Sequence, residues 1–93
     1  MRTIKQTSQF KRDLKREKTG RYRATLNMEL MTVLSNLAQD EQLASRYFDH
    51  ALKGKLEGFR DCHIKPDLVL IYEKPDDYTL SLIRLGSHSE LGI

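Results

Sequence analysis

Cys62 is the only cysteine in the chain, so no internal disulfide can form, and that usage fits a reducing, cytoplasmic setting. No apolar run approaches the roughly 20 residues that span a bilayer, which argues against a membrane partner. The start, Met1-Arg2-Thr3-Ile4-Lys5-Gln6, has no apolar stretch behind its basic residues, so no secretion signal is expected. There are no internal repeats, low-complexity tracts or linkers, and no local metal-ligand spacing such as HExxH. With 93 residues there is room for one domain, spanning 1–93, built on one modest core. A hydrophobic content of 39% beside 31% charged residues marks a globular rather than a disordered chain.

What the chain does have is an uneven charge. Residues 1–23 hold nine Lys/Arg against Asp13 and Glu17, a net of +7, while the remaining 70 residues hold seven against eleven acids, a net of −4. A solvated helix face normally mixes the signs. This segregation points instead to a polyanion, with nucleic acid ahead of a plain surface.

The pattern of apolar residues predicts an α+β fold. Arg2–Thr7 reads as a short strand. Ser8 is the expected N-cap of a first helix, in which Phe10 and Leu14 share one face and Lys11, Arg12, Lys15 and Arg16 make the other basic, up to Thr19-Gly20. A second helix at about 22–39 carries Leu26, Leu30, Val33, Leu34, Leu37 and Ala38 as one buried stripe, with Met28 and Met31 expected to widen it. Residues 40–57 look irregular. Phe59–Ile64, Leu68–Tyr72 and Tyr78–Leu85 then read as an antiparallel meander with turns at Lys65-Pro66-Asp67 and Pro75-Asp76-Asp77. The nearly continuous apolar run Leu68–Tyr72 fits a central strand buried on both faces. Two N-terminal helices would therefore pack on an antiparallel sheet, joined by the Arg2–Thr7 strand.

Three histidines, His50, His63 and His88, all lie in the second half, each beside a charged or small polar residue. Histidine can exchange a proton near neutral pH. Any one alone reads as a surface or hydrogen-bonded structural residue, so function rests on their convergence. The meander brings His63, Asp67 and His88 to the same edge of the sheet, because the start of one strand lies beside the end of its antiparallel neighbour. His50, in the preceding loop, is not placed by pattern. Asp67 could hold an imidazole in one tautomer for proton donation, and Arg84 could contact a phosphate or form a surface ion pair. Cys62 points away from His63 across the strand, which disfavours a Cys–His nucleophile and makes Cys62 a core residue. Separations of 13 and 25 residues between the histidines match no zinc motif, so metal-free acid–base chemistry without a cofactor is the favoured catalytic reading.

The segments Asp49-His50-Ala51-Leu52, Gly58-Phe59-Arg60-Asp61-Cys62-His63-Ile64, Pro66-Asp67-Leu68-Val69-Leu70-Ile71-Tyr72 and Gly86-Ser87-His88-Ser89-Glu90-Leu91 resemble the YafQ branch of the RelE/ParE toxins of bacterial type II toxin–antitoxin systems. The resemblance covers nearly the whole chain. It implies the RelE-like, microbial-ribonuclease-like fold and cleavage of messenger RNA in the ribosomal A site, which inhibits translation. It also implies partnership with a DinJ- or RelB-like antitoxin and with the 70S ribosome and its RNA. By motif match, the active-site residues fall on His50, His63, Asp67 and His88. The aromatic that the family often places near the C-terminus for stacking on substrate corresponds to Leu91, a departure. On this reading His88 is the acid, His50 or His63 the base, and Asp67 orients. Arg84 and Arg60 meet the phosphate, and Lys11, Arg12, Lys15 and Arg16 hold ribosomal RNA. Two alternatives stay open: a ParE-like toxin that poisons DNA gyrase without catalysis, and a plain RNA-binding module.

Overall fold

The computed structural model describes residues 1–93. The chain runs through β1 (Thr3–Gln6), α1 (Ser8–Glu17), α2 (Leu26–Ala38), β2 (His50–Ala51), β3 (Arg60–Lys65), β4 (Leu68–Glu73), β5 (Thr79–Gly86) and one helical turn, α3 (His88–Leu91). Short 3₁₀ turns at Ser45–Tyr47 and Gly54–Leu56 flank β2. No helix is long and apolar enough to cross a membrane.

The cap of α1 is Thr7 rather than the expected Ser8. Its hydroxyl accepts the Phe10 N–H at 3.0 Å and donates to the Ile83 carbonyl at 2.8 Å. One side chain thus satisfies an orphan helix donor and ties the helix start to β5, which Ser8 is not positioned to do. Thr7→Ala should lower stability by about 1–2 kcal/mol in denaturant melts; a loss below about 0.3 kcal/mol would mean that the cap contributes nothing.

In α1, Phe10 packs inward as expected, but so does Asp13, which is only 3% exposed. The stripe of α2 is buried at all six expected positions, from Leu26 to Ala38. Met28 and Met31 do not widen it, being 79% and 64% exposed. At about 3.6 residues per turn, Met28 falls nearly opposite the stripe and Met31 well to its side.

The five strands form one sheet in the order β1-β5-β4-β3-β2. The sheet is mixed, a correction to the antiparallel expectation: β1 joins the edge parallel to β5, pairing Thr3 with Thr79 through to Gln6 with Leu82. The connection through both helices and three strands is long enough to allow a parallel pair. The other strand pairs are antiparallel. The stretch read as irregular contains β2, which extends the sheet by pairing His50 with Asp61 and Ala51 with Arg60. Two residues flanked by turns leave no periodicity to detect.

Leu68, Leu70 and Tyr72 of β4 join Phe10, the α2 stripe and Leu80, Leu82 and Leu85 in the main core. Val69 and Ile71 point to the other face and are buried too, so β4 is covered on both sides as its apolar run predicts. On that second face, Asp61 stands opposite Ile71 and His63 opposite Val69. Val69 in turn pairs with Gly86 of β5. One line across three strands therefore leads from His63 to Gly86, two residues before His88.

Candidate active site

His88 is the first residue of α3. Ser87 caps this turn by accepting the Glu90 N–H at 3.1 Å, while the Ser87 N–H donates to the Glu90 carboxylate at 2.8 Å. This reciprocal box gives His88 a defined backbone. Gly86 allows the turn to close: a Cβ there would lie 3.0 Å from Arg16 Nη2 and 3.3 Å from Leu91 Cδ2.

Asp67, in the β3–β4 turn, accepts two hydrogen bonds from His88 on the same oxygen, the backbone N–H at 3.0 Å and ring Nδ1 at 2.7 Å. The ring bond and then the backbone bond hold the Asp67 carboxyl below its ordinary pKa. It is therefore ionised at neutral pH and can only accept. His88 Nδ1 must carry the proton, which fixes the tautomer and leaves Nε2 for chemistry.

The His63 and His88 rings meet edge to face with centroids 5.0 Å apart. The His63 ring also lies 5.5 Å from that of Phe48. His50 is exposed on β2, with Nδ1 2.7 Å from the Phe48 carbonyl oxygen and 3.1 Å from Asp61 Oδ1. A carbonyl only accepts, so Nδ1 of His50 carries hydrogen and its Nε2 lone pair is free when the ring is neutral.

Sequence reasoning passed over Asp61. It is 3% exposed, and its Oδ1 makes no hydrogen bond. Burial pushes its pKa up, against the opposing pull of positive charge on His50, His63 and His88. This carboxyl lies within the electrostatic reach of all three histidines. The signal was available: Asp61 is two residues before His63 in a strand and so shares its face.

The structure brings His63, Asp67 and His88 together and attaches His50 to them through Asp61 and Phe48. It treats the expected phosphate-binding arginines differently. Arg84 is engaged by Asp13 at 2.7 Å, which favours its ion-pair reading. Arg60 faces Asp49 at 3.2 Å and the Tyr72 hydroxyl at 3.3 Å. Arg16 is shared among Asp13, Glu17, Glu90 and the Leu85 carbonyl. Lys11, Arg12 and Lys15 are exposed and make no ion pair. Leu91 packs over Gly86 on α3, half-buried. Cys62 is fully buried, and that burial pushes its thiol pKa far up, so it is no nucleophile. No three His, Cys, Asp or Glu side chains are disposed to hold a metal ion.

Residues 2–92 match the family model described as the bacterial toxin of type II toxin–antitoxin system, YafQ. The mRNA interferase toxin YafQ of Escherichia coli K12 is 36% identical over 90 residues, covering 97% of this chain and 95% of the relative. The E. coli DinJ–YafQ toxin–antitoxin complex contains a chain with a TM-score of 0.81 at 32% identity, matching 97% of this chain and 96% of that one. A metal-bound toxin from Helicobacter pylori superposes with a TM-score of 0.81 at 46% identity, over 98% and 99% of the two chains. The matches run nearly end to end in sequence and in shape alike, and the chain belongs to the YafQ family of type II toxin–antitoxin toxins.

Proposed function

We propose that this chain is an mRNA interferase that acts in the cytoplasm, cleaving ribosome-bound messenger RNA by acid–base catalysis and silenced by a DinJ- or RelB-like antitoxin. The observation that carries the reading is the Asp67–His88–His63 constellation: a carboxylate fixes one imidazole while a second stands 5.0 Å away. Two rings at that spacing can reach the same phosphate.

The reaction needs three services. A base, His63 or His50, takes the proton of a ribose 2′-hydroxyl. The resulting oxygen attacks the adjacent phosphorus, forming a P–O2′ bond as the P–O5′ bond breaks. His88, as an imidazolium paired with Asp67, gives its Nε2 proton to the departing 5′-oxygen. The products are a 2′,3′-cyclic phosphate and a 5′-hydroxyl. Each well-placed acid or base contributes about 10²–10⁴-fold. Asp67 is a positioning residue, since it acts through His88. With Arg84 and Arg60 held by carboxylates, the histidines themselves supply the cationic donors nearest the phosphate.

Adding the purified chain to a translating extract and mapping RNA ends tests the proposal. New 5′ ends within translated messages, absent with His63→Ala, are expected. Intact RNA with inhibited DNA gyrase would instead indicate a ParE-like toxin, and unchanged toxicity of His63→Ala would indicate a plain RNA binder.

The unpaired cations of α1 have a separate role in holding ribosomal RNA through its phosphates. Lys11→Glu with Lys15→Glu should weaken ribosome pelleting and reduce the slope of log affinity against log salt by about one unit for each phosphate no longer neutralised. The two proteins' affinities should converge as salt rises. An unchanged slope would return α1 to an ordinary solvated surface.

A further inference from the structure

Phe48 sits beside the histidines and is not used by the mechanism. Its ring is 64% exposed, and its backbone is left-handed at φ 48° and ψ 44°. A bulky residue is strained in that region, and strain of this kind collects at ligand sites. Two hydrogen bonds fix it there: its N–H donates to the Ser45 carbonyl at 3.1 Å, and its own carbonyl faces His50 Nδ1 at 2.7 Å. An apolar ring is thus held toward solvent by the catalytic face of the sheet.

Next to it lies a cavity of about 390 Å³ shared by Phe48, His63, Pro66, Glu29, Arg46 and Lys65. That volume is within the range of small-ligand sites, about 300–1,000 Å³. Its polar groups form a chain: Arg46 Nη2 donates to the Tyr47 hydroxyl at 2.8 Å, which donates to Glu29 Oε2 at 3.2 Å. The other oxygen, Glu29 Oε1, has only Lys65 Nζ, at 3.8 Å, beyond hydrogen-bond distance. One carboxylate oxygen in this cavity is therefore open to an N–H donor.

Resting on the ribonuclease reading above, we propose that this cavity holds a nucleobase flanking the cleaved phosphate, stacked on Phe48 and accepted at its edge by Glu29. Every base offers a π-face to an aromatic platform. A carboxylate acceptor selects among them: adenine, cytosine and guanine present an exocyclic amino group, whereas uracil flanks its one N–H with two carbonyls that a carboxylate repels. The site should therefore disfavour uridine at this position.

The test compares the wild-type chain with Phe48→Ala, Phe48→Tyr and Glu29→Gln on reporter messages carrying each base beside one cut site, in a translating extract. Phe48→Ala should lower kcat/KM roughly 5–150-fold, with the pH profile and product ends unchanged, and Phe48→Tyr should restore most of it. Glu29→Gln should bring cleavage beside uridine closer to the rate for the other bases. Full activity of Phe48→Ala, with base preference intact in both variants, would overturn the pocket while leaving the ribonuclease standing. A uniform loss with a shifted pH profile would also overturn it, since Phe48 would then only steady His63. A wild-type chain that cuts no RNA would sink both proposals.

Discussion

His88→Gln should fold, melt and bind antitoxin like the wild type, yet cleave RNA slower by roughly two to four orders of magnitude. The folding half follows from the local structure. Ser87 and Glu90 make the capping box of α3, the His88 backbone N–H supplies one of the two bonds to Asp67, and neither depends on the imidazole. Glutamine can still donate a side-chain hydrogen bond to the carboxylate. It cannot deliver a proton near neutral pH. The loss should therefore fall on protonation of the leaving group, and a 5′-thio linkage at the cut site, which needs little protonation, should recover much of the rate. Equal defects on both linkages would remove His88 from the acid role and pass it to His50 or His63.

The second large effect is on stability and lies away from the histidines. Asp13 on α1 is buried and accepts from Arg84 at 2.7 Å, from the Leu85 N–H at 2.9 Å and from Arg16 at 3.1 Å. Asp13→Ala leaves a buried backbone donor unpaired and two guanidinium groups without their shared partner. A loss of about 3 kcal/mol is expected, seen as a fall in Tm of roughly 12–24 °C for a domain of this size. Burial raises the pKa of Asp13, but the hydrogen bonds from Arg84 and Leu85 and the charges of Arg84 and Arg16 outweigh it, so the net shift is downward. The sign of the linkage follows. A carboxyl whose pKa is lower folded than unfolded contributes its full stability above the unfolded value, near 3.8, and loses it as pH falls through the folded value. The gap in stability between wild type and Asp13→Ala should accordingly narrow on acidification below about pH 4. A gap that stays constant across that range, or a Tm change of only a degree or two, would show that this ion pair does not hold α1 to β5.

Asp13 also shows where reading the sequence runs out. A lone acid in a basic segment enters a charge count as a minor term, and nothing local reveals that it is the buried partner of an arginine 71 positions away. The same arginine, judged from its own surroundings, is equally a phosphate ligand and an ion-pair partner. By contrast, the α2 stripe and the double-sided burial of Leu68–Tyr72 follow from periodicity alone, because core packing repeats with the helix or strand that presents it. The approach of His63, Asp67 and His88 needed only two turns and the antiparallel rule. His50 needed more: β2 is two residues long, and it is located by its pairing with β3, a tertiary fact. Phe48 was invisible for a related reason, since a left-handed backbone at a non-glycine position leaves no mark in composition. The mixed sheet escaped because a four-residue strand carries no record of the direction in which its partner runs.

The chemistry of the newly formed RNA ends tests the acid–base account most directly. Products made by the wild-type chain in a translating extract should carry a 2′,3′-cyclic phosphate on the upstream fragment and a 5′-hydroxyl on the downstream one, and the yield of both should fall by roughly two to four orders of magnitude with His88→Gln. Fragments ending in 3′-hydroxyl and 5′-phosphate would contradict it.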